Sequence, residues 1–482
     1  MSAGRITARA AVWAFLGTAG SRVVTLIGLA LLARILAPSE FGLLAFAMVY
    51  ITYAETIGDL GSGMALVYWP DRRDDAAQVT FVVNAVAGVL WCALTFAIAP
   101  WVADFFNAPN GAPIVRVLGL GFILKYLGNA HDALAQKDLR FRARFIPELA
   151  LAAVKAVVAL IFAWRGYGAW SLVYGHLAGV GVSTLLLWIV VPWRPKFRLP
   201  MDLVKPMLGY GRGIIIVNVL AAVTHHADLA IVGRFLGTTA LGLYQMASKV
   251  PETTVVVLLW VVSKVLFPAF AKMHAQGESL RRPYLTASRY ISSITIPAAT
   301  GLFLLSKPIV LIFLGPKWLA AAPILSALSI YTALRALSTH AGDVLKATGR
   351  AQLLARLAVL KAILIVPALL LGVKYGAVGV AIGLSIATAL STLITLVAAS
   401  RIIGVSVGEI LGASLPAFGA SAVMAVAVYF WVRWSETHAP VLVQVAAGVA
   451  IGMAVYGAAL ALFDRDLIRR ARRHFLPDAR PA

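Results

Sequence analysis

Apolar runs of about 20 residues follow one another along this whole chain, and they constrain its fold more than any other feature. Each run is long enough to cross roughly 30 Å of hydrocarbon as a helix. Only 13% of the 482 residues are charged, whereas a soluble domain needs about twice that share to cover its surface. The sequence therefore predicts an all-α membrane protein with about 14 transmembrane helices. They lie near residues 12–36, 41–66, 77–103, 112–135, 145–164, 168–192, 212–236, 241–264, 285–305, 319–341, 356–373, 377–400, 409–432 and 440–463.

The two halves of the chain repeat each other. The segment RILAPSEFGL beginning at Arg34 recurs as RFLGTTALGL beginning at Arg234, a shift of 200 residues. Farther along, a shift of 210 pairs Lys125 with Arg335. Duplication of an even number of crossings predicts two parallel six-helix repeats. We expect an N-lobe at 1–193, a cytoplasmic interfacial linker at 194–211, a C-lobe at 212–402, two C-terminal helices at 403–464 and a basic cytoplasmic tail at 465–482.

The distribution of basic residues predicts the orientation in the membrane. The formal net charge is +22, and most lysines and arginines fall in the loops on one side of the predicted spans. Positive charge is retained in the cytoplasm, so both termini are expected there. Because these cations are spread over many short loops instead of one face, we do not expect a nucleic-acid partner.

Several kinds of chemistry lack their usual sequence signals. The chain has no G-x-x-x-x-G-K-[ST] phosphate-binding loop, and its single cysteine cannot form a disulfide within one chain. We also find no nucleophile triad or zinc-spaced cluster outside the predicted spans. The sequence therefore predicts a transporter and not an enzyme, with no cofactor and no metal.

Four segments carry a family resemblance. They are ARILAPSEFGL at Ala33, DLAIVGRFLGTTALGLY at Asp228, VLFPAFAKM at Val265 and GPKWLAAAPIL at Gly315. Together they resemble the polysaccharide transporter, or oligosaccharide flippase (Wzx-like), family of the multidrug/oligosaccharidyl-lipid/polysaccharide exporter superfamily. The resemblance implies two six-helix lobes around a V-shaped cavity, in a bacterial inner membrane. It also implies that the cargo is a polyprenyl-pyrophosphate-linked oligosaccharide repeat unit moved outward across that membrane, with membrane lipids and a polysaccharide polymerase as further expected partners.

Cations inside the predicted spans are the candidate cargo-binding residues. A charged side chain at mid-membrane costs at least ~2.5 kcal/mol unless it faces water or a partner. Lys125 and Arg335 form the leading pair, because the repeat places a cation at equivalent depth in both halves. Arg22 and Lys155 are further candidates. The alternative is that these cations form structural ion pairs with acids such as Asp228 or Glu55, or extend toward an interface.

Asp228, His225 and Glu252 are the candidate ion-coupling residues. His225 and Asp228 are three residues apart and share a helix face, whereas His226 points elsewhere. A carboxylate removed from water can exchange protons during a transport cycle. The alternative is that Asp228 anchors the following turn structurally.

Three classes of function follow from these features. A lipid-linked oligosaccharide flippase agrees with the duplication, the order of the motifs and the basic interior. An ion-coupled small-molecule or drug antiporter of the same superfamily is the alternative, and its cavity is expected to be more acidic. A membrane enzyme such as a glycan ligase would need a long outer loop, and none of the predicted outer loops is long.

Overall fold

The computed structural model describes residues 20–138, 140–196 and 199–464. Within these ranges the chain is helical and contains no strand. In the same ranges, ten helices are long and apolar enough to cross a membrane, or eleven when one bent pair is counted as a span. The predicted all-α, multi-pass membrane architecture is confirmed. The basic tail at 465–482 lies outside the described residues.

The difference between ten or eleven spans and the predicted fourteen has simple causes. The first predicted run is described only from residue 20. The runs at 356–373 and 377–400 fall in one long apolar stretch, Gln352–Ile403. Most of the run at 212–236 and of the run at 241–264 likewise falls within Asn218–Val256. In both stretches the helix is nevertheless interrupted near the predicted boundary, at Val373–Tyr375 and at Gly237.

The chain divides into two compact units, Met1–Gln245 and Met246–Ala482. Unit 1 contains seven described helices and most of an eighth. These are α1 from 20 to 35, α2 Pro38–Gly58, α3 Ser62–Tyr68, α4 Arg73–Phe105, α5 Ala112–Lys137, α6 Phe141–Trp164, α7 Ala169–Val190 and α8 Met201–Pro251.

The predicted span 41–66 is in fact two helices, α2 and α3. The chain leaves the helical conformation at Leu60 and Gly61, which have φ values of 50° and 66°. Left-handed backbone suits glycine and is uncommon for leucine. The carboxylate of Asp59 stabilises the turn by accepting a hydrogen bond from the Gly61 amide at 2.9 Å.

Helix α8 begins at Met201, within the segment predicted to be a linker, and is interrupted at Gly237, where φ is 81° and ψ is 178°. The part after Gly237 crosses α2 at very short range. A Cβ atom at Gly42 would overlap the carbonyl group of Thr238, and a Cβ atom at Gly242 would overlap the carbonyl oxygen of Pro38. Because this crossing packs residues 238–245 against α2, they belong to unit 1.

Unit 2 follows with a π-helical turn and eight α-helices. The π turn is Glu252–Val256, and the helices are α9 Val257–Ala275, α10 Arg281–Leu304, α11 Ser306–Phe313, α12 Ala322–Ala347, α13 Ala351–Gly372, α14 Gly376–Ile403, α15 Val407–His438 and α16 Val441–Phe463. Helices α10 and α11 meet at a bend of 76°. Helices α15 and α16 pack on each other, and α15 also packs on α10.

The duplication seen in the sequence extends to helix boundaries. Helices α5 and α12 both contain 26 residues, both follow a 3-10 turn, and both begin with Ala-Pro. Lys125 therefore occupies the same place near the middle of α5 that Arg335 occupies in α12. The next helices, α6 and α13, follow Arg140 and Arg350, which are again 210 residues apart.

Ion pairs join helix ends inside each unit. In unit 1, Arg72 contacts Asp202 at the start of α8, and this hydrogen bond lowers the pKa of the Asp202 carboxyl. The Arg144 guanidinium donates two hydrogen bonds to Asp132, at 2.7 and 2.9 Å. In unit 2, Arg289 on α10 contacts Asp464, which follows α16. Such pairs hold the ends of helices in register.

Candidate functional site

Lys125 lies against two carboxylates of unit 1. Its ammonium nitrogen is 2.8 Å from Glu55 Oε2 on α2, and Asp59, which directly follows α2, lies within electrostatic range. The Lys125 side chain is 49% exposed and the Glu55 side chain 24% exposed, so this ion pair is partly exposed at the surface of unit 1. This ion pair with Glu55 is the arrangement expected if Lys125 has a structural role and does not contact the cargo. Its role in cargo binding stays a prediction.

Lys155 belongs to the same charged region of unit 1. Both Lys155 and Lys125 lie within electrostatic range of His176 on α7. Helices α6 and α7 approach so closely here that a Cβ atom at Gly175 would overlap the carbonyl oxygen of Lys155. We refer to Glu55, Asp59, Lys125, Lys155 and His176 as the unit 1 charge cluster.

Arg22 lies on α1 and is partly exposed. It takes part in no ion pair within the described residues. Its neighbour Ser21 donates a hydrogen bond to Glu148 on α6 at 3.3 Å. The structure therefore places Arg22 near the α1–α6 contact of unit 1.

Arg335 lines a cavity in unit 2. The cavity has a volume of about 480 Å³, within the range of small-molecule binding clefts. The guanidinium of Arg335 lies 3.3 Å from the hydroxyl of Tyr331, one turn earlier on α12. No ion pair to Arg335 is found among the side chains that the structure describes. The cavity is lined by Val256, Leu259, Ser263, Phe267, Arg335, Thr339, Asp343 and Lys346.

Asp343 supplies the carboxylate of this cavity. Its side chain is 2% exposed, accepts a hydrogen bond from Ser263 on α9, and lies 3.2 Å from the ammonium of Lys346. The Lys346 side chain is 50% exposed, so its charged end remains accessible from the cavity. Lys361 on α13 adds another cation within electrostatic range of Arg335. Arg335, Lys346 and the carboxylate of Asp343 are therefore the charged groups that line the cavity among the described residues, with Lys361 nearby.

The predicted ion-coupling residues are divided between the two units. Asp228 is half-buried on α8, and its carboxylate accepts hydrogen bonds from the Tyr244 hydroxyl at 3.0 Å and from the Leu229 amide at 2.8 Å. His225 is exposed on the same helix. Glu252 belongs to unit 2, where it is exposed and forms an ion pair with Lys249 at 2.9 Å. Ion coupling through these residues stays a prediction.

Asp343, Lys346 and Ser263 were not among the predicted site residues. The apolar run in the sequence ends near residue 341, whereas α12 continues to Ala347 and carries Asp343 and Lys346 into the cavity. The only sequence signal was their spacing from Arg335. Residues 335, 339, 343 and 346 recur at helical intervals and share a face.

Similarity to known sequences extends over most of the chain. A family model described as "Polysaccharide biosynthesis protein" matches residues 31–323, which is more than half of the chain. The lipopolysaccharide biosynthesis protein WzxC of Escherichia coli (strain K12) is 26% identical over 398 residues, covering 82% of this chain and 81% of WzxC. The succinoglycan biosynthesis transport protein ExoT of Rhizobium meliloti (strain 1021) is 26% identical over 469 residues, covering 95% of this chain and 93% of ExoT.

Solved structures show the same fold at lower identity. The lipid II flippase MurJ in an inward closed conformation has a TM-score of 0.79 and 17% identity, and the match covers 95% of this chain and all of that chain (100%). A multidrug resistance MATE family transporter of the MOP superfamily, inward-facing, has a TM-score of 0.68 and 13% identity, covering 80% and 94%. The predicted resemblance is thus confirmed. The fold is similar to those of MurJ and of the MATE family transporter, and the chain belongs to the polysaccharide biosynthesis protein family.

Proposed function

We propose that this protein is a flippase for polyprenyl-pyrophosphate-linked oligosaccharide repeat units. It would move them from the cytoplasmic to the outer leaflet of the inner membrane, by alternating access, for the synthesis of surface polysaccharide. Membrane lipids surround it, and a polysaccharide polymerase is its expected partner. Both termini lie on the cytoplasmic side, because positive loops are retained there.

One observation carries the proposal. Lys125 and Arg335 stand near the middle of two repeat-related helices that are otherwise mostly apolar. A cation at such a position is costly unless it faces water or a partner. An anionic diphosphate that must leave bulk water is a partner of the matching charge. Arg22 and Lys155 extend the set of candidate cationic contacts.

Membership of a polysaccharide biosynthesis family supports this cargo class. The relative ExoT is named as a transport protein for succinoglycan biosynthesis, and MurJ is named as a lipid II flippase. A drug antiporter of the MATE kind has a similar fold, but a cationic drug would be repelled by Arg335 and Lys346, the two cations that line the unit 2 cavity. A lipid-linked anion is therefore the better match.

For the energy source we propose that Asp228, with His225 and Glu252, couples transport to an ion gradient. Asp228 has a hydroxyl partner, Tyr244, that can hydrogen-bond either the charged or the neutral carboxyl. A carboxyl that tolerates both states is suited to exchange protons during the cycle.

The proposal can be tested with the purified full-length protein in proteoliposomes. A polyprenyl-diphosphate-linked oligosaccharide with a fluorescent sugar is placed in one leaflet, and its transfer is followed with a membrane-impermeant quencher. We expect the wild-type protein to accelerate transfer. The double variant Lys125→Ala/Arg335→Ala should lose most of this activity, whereas Lys374→Ala/Arg401→Ala, which removes two exposed cations, serves as its control.

Two results would count against the proposal. Normal transfer by the Lys125→Ala/Arg335→Ala protein would remove both residues from the cargo site. Failure of the wild-type protein to transfer any lipid-linked saccharide, together with export of a cationic dye such as ethidium, would instead identify an antiporter.

A further inference from the structure

We propose that the diphosphate of the cargo is bound in unit 2, in the cavity between α9 and α12, with Arg335 and Lys346 as its cationic ligands. This inference rests on the proposed flippase function and makes its binding site more specific. It also assigns unequal roles to the two repeats, although they place a cation at the same position.

The two repeats differ in the side chains that face Lys125 and Arg335. In unit 1, Lys125 is neutralised by Glu55 on α2. The residue 200 positions after Glu55 is Val255, and the π turn at Glu252–Val256 displaces the register so that the next residue, Val256, lines the cavity with Arg335. Both are valines. The repeat therefore supplies a carboxylate to Lys125 and none to Arg335.

The second carboxylate of unit 1 is missing from unit 2 as well. At the shift of 200, Asp59 corresponds to Leu259, which also lines the cavity and is buried; in the register displaced by the π turn it corresponds to Trp260, which is likewise apolar. Two acidic positions of the first repeat are thus apolar in the second. Apolar walls lower the local dielectric constant, so a charge–charge interaction inside the cavity is stronger than it would be in water.

The groups on α12 have the geometry of an anion site. Arg335, Thr339, Asp343 and Lys346 line one face of the helix and one cavity. The guanidinium offers a planar pair of donors that matches phosphate oxygens, and the ammonium offers three donors. Asp343 holds Lys346 at the cavity edge at 3.2 Å, and it is itself held by Ser263.

The charge balance of the cavity favours a multiply charged anion. Among the described side chains, Arg335, Lys346 and the nearby Lys361 contribute positive charge, while Asp343 is the acid that lines the cavity. A monoanion would leave part of this charge uncompensated inside apolar helices, which is unfavourable. A diphosphate compensates it more completely.

Binding can be measured with farnesyl diphosphate as the probe. The full-length protein is placed in nanodiscs of neutral phosphatidylcholine and titrated by calorimetry. We expect Arg335→Gln and Lys346→Gln each to weaken binding about tenfold to a hundredfold, because each removes a charge-assisted contact. Arg401→Gln and Lys374→Gln remove exposed cations of the same unit and should leave the affinity within about twofold of wild type.

A second pair of variants introduces into unit 2 a carboxylate like the one that faces Lys125 in unit 1. Val256→Glu puts a carboxylate beside Arg335, as Glu55 stands beside Lys125, and should abolish binding. Val256→Gln has the same size without the charge and should retain more binding than Val256→Glu. The comparison separates the effect of charge from any effect of the larger side chain on folding.

The outcomes distinguish this inference from the function on which it rests. A loss in Lys125→Gln as large as that in Arg335→Gln would overturn the inference and leave the flippase function standing. Equal affinity for farnesyl monophosphate, or full displacement of the probe by phosphatidylglycerol, would also overturn it, since either result indicates a general anionic-lipid site. Failure of lipid-linked saccharide transfer in proteoliposomes would instead contradict the flippase function, whatever the affinities.

Discussion

Lys125 and Arg335 have the same position in a repeat but different surroundings. The sequence alone predicted the pair, because a shift of 210 residues aligns them and both fall inside apolar runs. It could not decide between cargo contact and ion pairing. That choice depends on which face of α2 or α9 packs against the cation, and such packing is set by tertiary structure. Glu55 at 2.8 Å from Lys125, and Val256 in the cavity that Arg335 lines, became visible only in the fold.

Asp228 gives a prediction at the level of one residue. Asp228→Asn should preserve the hydrogen bond from Tyr244, because the amide oxygen of asparagine also accepts. It removes the titrating group, and one titrating carboxyl changes a rate by up to about tenfold per pH unit. We therefore expect the transfer rate of the wild-type protein, followed in proteoliposomes between acidic and alkaline pH, to depend on pH, and that of Asp228→Asn to lose this dependence.

The matched control for Asp228 is Tyr244→Phe, which removes the hydrogen bond and keeps the carboxylate. This variant should keep a pH-dependent rate. If Asp228→Asn has the same pH profile as the wild-type protein, Asp228 is a structural anchor and takes no part in coupling.

At the scale of helices, apolar periodicity located the spans but not all of their interruptions. It separated the runs on either side of Gly237, whereas the break at Gly61 and the π turn at Glu252–Val256 fall inside continuous apolar runs. Hydropathy averages over about 19 residues and cannot resolve a single left-handed residue. The end of α12 was misjudged for a related reason, since Asp343 and Lys346 lower the local hydropathy while the helix continues.

The crossing of α2 and α8 gives a prediction at this scale. Gly42→Ala and Gly242→Ala each place a methyl group where the opposing backbone lies. Overpacking of this kind costs about 1–3 kcal/mol, because the two helices must separate. We expect a lower midpoint of thermal unfolding for both variants, measured on the purified protein in detergent.

Gly209→Ala is the control for this crossing. Gly209 lies on α8, and a methyl group added to it would meet no atom within 4 Å beyond the neighbouring backbone of α8 itself. Alanine there should therefore be neutral or should stabilise the helix by up to about 1 kcal/mol. An equal loss of stability at positions 42 and 209 would show that the close approach is not what limits substitution.

At the scale of the whole molecule, composition and repeats were the most informative signals. An apolar share of 61% is enough to assign a membrane protein, and the duplicated segments at Arg34 and Arg234 indicate repeats. The orientation of the chain comes from charge distribution alone, because the helices would have the same internal contacts if they were inserted in either direction.

Cysteine labelling can test the orientation. Cys92 is the only cysteine and is buried in α4, so Cys92→Ala gives a background for single exposed cysteines. Arg165→Cys and Lys374→Cys should react with an impermeant maleimide in intact cells. Arg140→Cys and Lys272→Cys should react only after the membrane is permeabilised. The reverse pattern would place both termini outside.

The paired glycines at 42 and 242 have one more consequence. Gly42 meets Thr238, Gly242 meets Pro38, and each of these partners is the other's counterpart 200 residues away. The contact is therefore reciprocal, as in an interface between two identical subunits related by a two-fold axis. A protein with only one copy of the repeat could form this contact with a second copy of itself, each subunit contributing one glycine. Fusion of such a homodimer into one chain would preserve the helix contact without any new residue.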